Sequence, residues 1–380
     1  MEQVKKIVER FINARSDLAM ELAKLKEQGV KIIGTYCSFA PEEIILAANA
    51  KVLRMCNTSD EYVILGEKVL PSNICNIVKS SYGEALSGSP YFNAVDLVIG
   101  ETTCDGKKKM YEYLENIKPT YVLQLPQKNQ GSEELSLWKN EIQRLRENIE
   151  NKFNIEISDE KIREAIRIKN TERKALKHFY ESWTKNTELI SSKDVFTILT
   201  NFNYRLDNEK ALEDIKIITE IIKSQPKLDN KGKNNAPRIL LTGCPLGQKM
   251  DRIIDIIEEA GGNLICLETC DWMKGNQDLI EENIDPINAI AEKYLQIPCP
   301  TMTPNNRRVN LISELIDKYN IDGVIDLSLQ ACLTFGVETV LMKRFITEEK
   351  NIGYLNLETN ITAAETGQLR TRIEAFIEIL

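Results

Sequence analysis

Nine cysteines in 380 residues carry most of the chemistry available to this sequence, and six of them recur in one kind of setting. Cys37 follows KIIGTY, Cys104 follows DLVIGETT and Cys332 follows DGVIDLSLQA. Each preceding apolar run reads as a buried parallel strand leading into a helix. Cys75 in LPSNICNIVKSSYG, Cys270 in LICLETCDW and Cys299 in LQIPCPTMT also have loop-type polar, proline or glycine neighbours. In open α/β sheets the strand-to-helix turns form the edge where ligands bind. Thiolates dispersed over separate turns suit an iron–sulfur cluster in a cleft between domains. Zinc is the competing occupant, but structural zinc sites show close cysteine pairs, and only Cys266-x3-Cys270 comes near that spacing. Cys56 and Cys266 fall inside the apolar runs AKVLRMC and NLICLE, and both are expected to be small core residues.

The remaining composition narrows the field. The single histidine, His178, lies in the charged helical stretch NTERKALKHFYESW, poor ground for a histidine-based triad or a histidine-ligated metal. A net charge of -8 argues against a general nucleic-acid binder. No G-x-x-x-x-G-K-S/T pattern occurs, so any ATP dependence is expected to come from a separate protein. No apolar run reaches the roughly 18 residues of a membrane span, and the leading segment lacks the apolar centre of a signal peptide. A cytoplasmic protein with reduced thiols is expected.

The elements that must position these cysteines are laid out twice. After an N-terminal helix over 1–30, strands and helices alternate over 31–135 as one α/β domain. A helical, charged segment and a polar linker, LDNKGKNNAPR, occupy 136–235, and the same alternation returns over 236–380. The cysteines repeat with the elements: Cys37 answers Cys244, Cys75 answers Cys299 and Cys104 answers Cys332. The fold class is therefore α/β, with two doubly wound parallel sheets and helical additions.

Other residues near these turns are candidates for supporting roles. In GETTCDGKKK the helix start after Cys104 would turn backbone N–H groups toward an anionic cluster, with Lys107, Lys108 and Lys109 adding positive charge. The plainer reading is an exposed basic turn or a docking patch. Lys79, Ser80, Ser81 and Tyr82 follow Cys75 and are candidate hydrogen-bond donors to a cluster or substrate, or else caps. Glu42, Glu101, Gln330 and Glu338 are candidate proton-handling groups, against the commoner outcome of a solvated or capping side chain.

GTYCSFAPEEIILAANA, NICNIVKSSYG, DLVIGETTCDGKKKMYEY, LLTGCPLG, IPCPTMTPNNRR, DGVIDLSLQAC and TGQLRTRIEAFIE together resemble the 2-hydroxyacyl-CoA dehydratase and benzoyl-CoA reductase subunit family. Within it they are most similar to the single-chain double-cubane cluster proteins. The resemblance implies two flavodoxin-like domains, oxygen-sensitive iron–sulfur chemistry, a separate iron–sulfur ATPase as electron donor, and a homodimer. It implies Cys37, Cys75 and Cys104 as ligands of one cubane and Cys270, Cys299 and Cys332 of another, with Cys244 as a possible substitute for Cys270. The implied activity is low-potential reduction of a small substrate at an 8Fe-9S double cubane. The alternatives are a dehydratase subunit with one 4Fe-4S cubane, and a non-catalytic electron-transfer or scaffold protein.

Overall fold

Short apolar runs become parallel strands here because both faces of such a sheet are covered, so no polar alternation is needed. A computed structural model describes residues 2–225, 236–360 and 365–380, and most of the expected linker lies outside them. Strands β1 (Ile32–Thr35), β2 (Lys51–Arg54), β3 (Leu97–Glu101) and β4 (Thr120–Leu123) form one sheet, in the order β2-β1-β3-β4. Strands β5 (Arg238–Gly243), β6 (Asn263–Glu268), β7 (Gly323–Leu329) and β8 (Gly353–Thr359) form a second, in the order β6-β5-β7-β8. All pairings are parallel. The two orders are one permutation, the first four positions of the flavodoxin-type order 2-1-3-4-5. Two flavodoxin-like units are therefore present, as expected.

Helix α1 (Glu2–Glu27) precedes the first sheet, and α2 (Glu42–Ala47), α3 (Asp60–Gly66), α4 (Asn76–Ser87), α5 (Pro90–Ala94) and α6 (Asp105–Leu114) are interleaved with it. Helices α7 (Ser132–Phe153), α8 (Asp159–Trp183), α9 (Ser192–Asn201) and α10 (Asn208–Ser224) connect the halves. Helices α11 (Met250–Glu259), α12 (Pro286–Leu295), α13 (Asn306–Tyr319), α14 (Leu333–Arg344) and α15 (Thr366–Glu378) belong to the second half. No helix of the described residues is long and apolar enough to cross a membrane.

The connecting helices act as a clamp, which the core composition explains. Helix α8 opens on Ser158, whose hydroxyl accepts from the Lys161 N–H, followed by Asp159 and Glu160 at the positive helix end. Its first turns bury Ile162, Ala165 and Ile166 with Ile33 and Ile44 of the first unit. Its last turns bury Leu176, Phe179, Tyr180 and Trp183 with Leu240 and Val324 of the second. Helix α12, although late in the chain, buries Ile287, Ile290 and Tyr294 in the first core beside Trp138. The two halves are thus bolted together, and the space between their sheets has fixed walls.

A buried ionic network ties α2 to α8. Arg173 donates to Glu43 at 2.6 Å, Tyr294 donates to Glu43 at 2.8 Å, and Glu42 pairs with Lys169 at 2.8 Å and Arg54 at 2.7 Å. Burial alone would raise both carboxyls, but Lys169 and Arg54 on Glu42, and Arg173 and Lys293 on Glu43, hold them below the ordinary carboxylate range. A depressed folded pKa contributes stability that is present above the unfolded carboxylate value of about 4.3 and is lost as pH falls through the folded value. Urea unfolding is therefore expected to be steady from neutral pH to about pH 5 and to weaken below it. Glu43→Gln should cost about 3–5 kcal/mol at neutral pH, by stranding Arg173, and should flatten the acid limb. An unchanged acid limb in that variant would show that Glu43 is not the titrating group.

Candidate metal centre

The strand order decides where the cysteines go. In each sheet the chain leaves the first strand to one side and returns to the other, and a crevice opens at the carboxyl ends where it reverses. Cys37 follows β1, Cys104 follows β3 as the N-cap of α6, Cys244 follows β5, Cys270 follows β6, and Cys332 follows β7 as the N-cap of α14. Cys75 is the N-cap of α4, and Cys299 lies in the loop after α12. Two backbone positions steer these turns. Gly243 has φ 124°, and a Cβ there would lie 2.0 Å from the Leu327 carbonyl oxygen, so only glycine lets β5 turn into Cys244. Ala331 takes the left-handed region, φ 64°, immediately before Cys332.

These turns converge on one cavity, lined by Cys37, Cys56, Cys75, Cys104, Cys244, Cys270, Cys299 and Cys332. Eight of nine cysteines, from both sheets, share its wall. The ninth, Cys266, is a fully buried core residue on β6, as expected. Cys56 departs from expectation: β2 ends at Arg54, so Cys56 lies past the strand and reaches the cavity. The polar run NTSDEY directly after it was the signal available in the sequence.

The thiols gather in two groups. Cys75 and Cys332 lie within hydrogen-bonding reach of each other, Cys244 reaches Cys332, and Cys104 neighbours Cys75. Cys37, Cys270 and Cys299 are mutual neighbours. Contacts across the cleft enforce the second group: the Ser38 hydroxyl donates to the Cys270 carbonyl at 3.1 Å, and a Cβ on Gly275 would meet Ser38. The gatherings cross the chain halves, because strand ends from opposite sheets meet across the cleft. Cys244, expected as a possible substitute for Cys270, neighbours Cys332. It lies in the other group, nearly fully buried, its sulfur accepting from the Leu329 N–H at 3.4 Å.

The family profile described as 2-hydroxyglutaryl-CoA dehydratase, D-component, matches residues 37–380. This chain belongs to the 2-hydroxyacyl-CoA dehydratase family. YjiM of Escherichia coli (strain K12), whose name assigns it provisionally as a dehydratase subunit, is 40% identical over 375 residues, 98% of each chain. The (R)-phenyllactyl-CoA dehydratase beta subunit of Clostridium sporogenes is 25% identical across 98% of this chain and 99% of its own. The (R)-2-hydroxyglutaryl-CoA dehydratase subunit beta of Acidaminococcus fermentans is 21% identical over the same shares.

In this dehydratase-family protein the donor set fits an iron–sulfur group. Among the described residues, the cavity wall holds no aspartate, glutamate or histidine, and its charged side chains are Arg54 and Lys107, both cationic. No three ligand-type side chains of the described residues are gathered as for a single metal ion; the thiols ring a wider space. The positive ends of α4, α6 and α14 begin at Cys75, Cys104 and Cys332. Burial pushes the Cys37 thiol up to about 12, and the Cys244 thiol is the main cause of the rise at Cys332, also to about 12. Backbone N–H groups of Phe39, Ile77, Lys107, Thr301 and Phe335 pull in the opposite direction at Cys37, Cys75, Cys104, Cys299 and Cys332. Such thiols are poor free nucleophiles, and ligation would release their protons.

The three lysines after Cys104 divide. Lys107 turns inward, donating to the Tyr36 carbonyl at 3.0 Å and to Glu101 at 2.8 Å. Lys108 and Lys109 face solvent, paired with Asp105 and Glu112.

The expected catalytic side chains do not reach the cavity. Glu101 is fully buried, held by Lys107 and by the Tyr111 hydroxyl at 2.9 Å. Lys79 is tied to Glu67 and the Ser72 carbonyl, each at 2.8 Å, Ser80 donates to Asn57, and Ser81 accepts from the Asn57 N–H. Gln330 is exposed, Glu338 is bound by Arg308, and Glu42 is bound by Arg54 and Lys169. A helix places only part of its surface toward any one neighbour, so closeness in sequence to Cys75 does not bring Lys79 or Ser81 to the site. The polar wall residues that went unrecognised are Thr35, Tyr36, Ser38, Arg54, Thr103, Tyr204, Thr301 and Thr334.

Proposed function

We propose that this protein is an iron–sulfur redox enzyme that holds an 8Fe-9S double cubane and reduces a small substrate at low potential. The observation that carries the reading is the convergence of eight cysteines from both sheets on one cavity walled without carboxylates. Cys75, Cys104 and Cys332 would hold one cubane, and Cys37, Cys270 and Cys299 the other. Such a group, when bound, supplies low-potential electrons. The chain's own residues do the rest: Lys107, Arg54 and three helix N-termini offset negative charge, Ile77, Val78 and Phe335 exclude water, and the threonine hydroxyls offer hydrogen bonds to a small ligand. Electrons would come from a separate iron–sulfur ATPase, the donor that the family resemblance implies, and this chain has no P-loop pattern of its own. The enzyme would work as a cytoplasmic homodimer.

The names of the relatives favour a second reading, a 2-hydroxyacyl-CoA dehydratase subunit, for which the family resemblance implies one 4Fe-4S cubane. Both readings are tested first by anaerobic isolation. A brown protein containing iron and acid-labile sulfide is expected. A colourless protein with stoichiometric zinc and no sulfide would remove both. Nucleotide binding by this chain alone would count against the external ATPase.

Two substitutions test the ligand boundary. Cys266→Ala and Cys56→Ala are expected to keep their full iron, because Cys266 is a core residue and Cys56 lies outside the six ligands that the family resemblance implies. Iron lost from Cys56→Ala would add that residue to the ligands.

A further inference from the structure

A second chamber adjoins the cysteine cavity, and three residues line both: Arg54, Cys56 and Tyr204. They form the partition between the two spaces. The outer chamber is walled by α1, α3 and the end of β2. Tyr204 is half-buried and ends the short 3-10 turn Phe202–Tyr204, whose Phe202 is buried in the same core as Trp183 and Ile215. The Arg15 guanidinium stacks 4.1 Å from the centre of the Tyr204 ring. Arg54 stands at the same partition, donating to Glu42 at 2.7 Å. Two guanidinium groups therefore flank one phenol ring at the boundary.

The carboxylates of the outer chamber do not cancel that charge. Asp60 is paired with Lys249 at 2.9 Å, and Glu61 is exposed on α3. Glu84 accepts from Asn57 and Ser89, and burial holds its carboxyl above the ordinary range. A groove across α2 and α8 also reaches Arg54, but among the described residues it shares no other with the cysteine cavity. Its wall there is the closed network of Glu42, Lys169 and Glu172.

We propose that the outer chamber is the substrate's way to the metal centre, with Tyr204 as its gate and Arg15 and Arg54 selecting a small carboxylate. The inference rests on the reading that the cysteine cavity holds an iron–sulfur group, and adds how a substrate arrives and what charge it carries. An aromatic ring on a half-exposed turn swings by rotation about its side-chain bonds, without moving the backbone. A cation–π contact at such a site is weak enough to open and close with that motion. The opening it leaves is the size of the ring, so only a small molecule passes. Each guanidinium presents donors in a planar fork that matches a carboxylate, so an anion leaving water finds partners on both sides of the gate. A neutral molecule of the same shape gains no such charge pairing.

Two measurements on the anaerobically isolated, iron-loaded full chain test the proposal. Cys56 lies in the partition and outside the six implied ligands, so its alkylation by iodoacetate and by iodoacetamide, read by mass spectrometry, compares an anion with a neutral molecule of equal size. At low salt the acetate-to-amide rate ratio is expected to exceed that of mercaptoethanol at least about threefold, and Arg15→Gln should remove most of the excess. Passage is read from the iron extracted by picolinate. Tyr204→Ala, or Tyr204→Leu if the smaller side chain does not load, should speed extraction at least about tenfold and make it proportional to picolinate concentration. Tyr204→Phe keeps the ring and should match the wild type. Iron content and circular dichroism beforehand establish that each variant is loaded and folded. A ratio no higher than that of mercaptoethanol, or one unmoved in Arg15→Gln, would overturn the selection of an anion. Extraction at the wild-type rate without the ring would overturn the gate, and so would equal acceleration in Tyr204→Phe. Wild-type protein isolated without iron would instead overturn the iron–sulfur reading on which the inference rests.

Discussion

Fully loaded, oxygen-protected protein is expected to contain about eight irons per chain, and Cys104→Ala and Cys299→Ala should each remove about half of them from different cubanes. The two gatherings of thiols set this outcome. Cys104 lies with Cys75 and Cys332, whereas Cys299 lies with Cys37 and Cys270. Residues acting in one unit are strongly non-additive. Cys104→Ala/Cys332→Ala should therefore lose little more iron than either single change, while Cys104→Ala/Cys299→Ala should lose nearly all of it. The reverse pattern, with Cys37 and Cys104 behaving as one unit, would restore the division by chain half. Four irons in a saturated wild-type sample would sink the double cubane and move the function to acyl-CoA dehydration, with CoA-ester binding as the next measurement.

A loss of stability as large as that at Glu43 is expected at Arg308. Its guanidinium is fully buried, ion-paired with Glu338, donating to the Thr242 hydroxyl at 3.0 Å, and lying 3.5 Å from Asp326 and 3.9 Å from Glu268. Lys274 also pairs with Glu268, at 2.9 Å. Arg308→Met would leave Glu338 and Asp326 buried without their cation, a cost of about 3–5 kcal/mol. The same arginine joins α13 to β5, β7 and α14, the elements that lead into Cys244 and carry Cys332. Iron loading should fall together with the midpoint of anaerobic urea unfolding. A loss below about 1 kcal/mol would show that the three carboxylates find other partners, or take up protons at little cost.

Much of the fold was legible because parallel strands buried on both faces need no alternation. β1, β3, β5, β6 and β7 all read as apolar runs ended by turn residues. The edge strands β4 and β8 escaped notice, since TYVL and GYLNLET are only partly covered and lack that mark. The placement of cysteines at strand-to-helix turns was legible for a related reason: a turn follows each strand, and the turns of a doubly wound sheet share one edge. The extent of the cavity wall was less so, as Cys56 shows, because a strand end drifts by a residue or two.

What the sequence by itself determined is that cysteines, rather than histidines or carboxylates, gather at the strand-to-helix turns, and that two similar α/β units present them. Only the tertiary structure decided which thiols meet, because that depends on how one sheet edge faces the other across the cleft, and no spacing along the chain encodes it. It likewise decided that Lys107 turns in while Lys108 and Lys109 turn out, since successive residues on a helix point about 100° apart. Glu101, Lys79 and Glu338 proved to be occupied for the same physical reason: a buried charge must find a partner, and that partner often lies far along the chain or across the core.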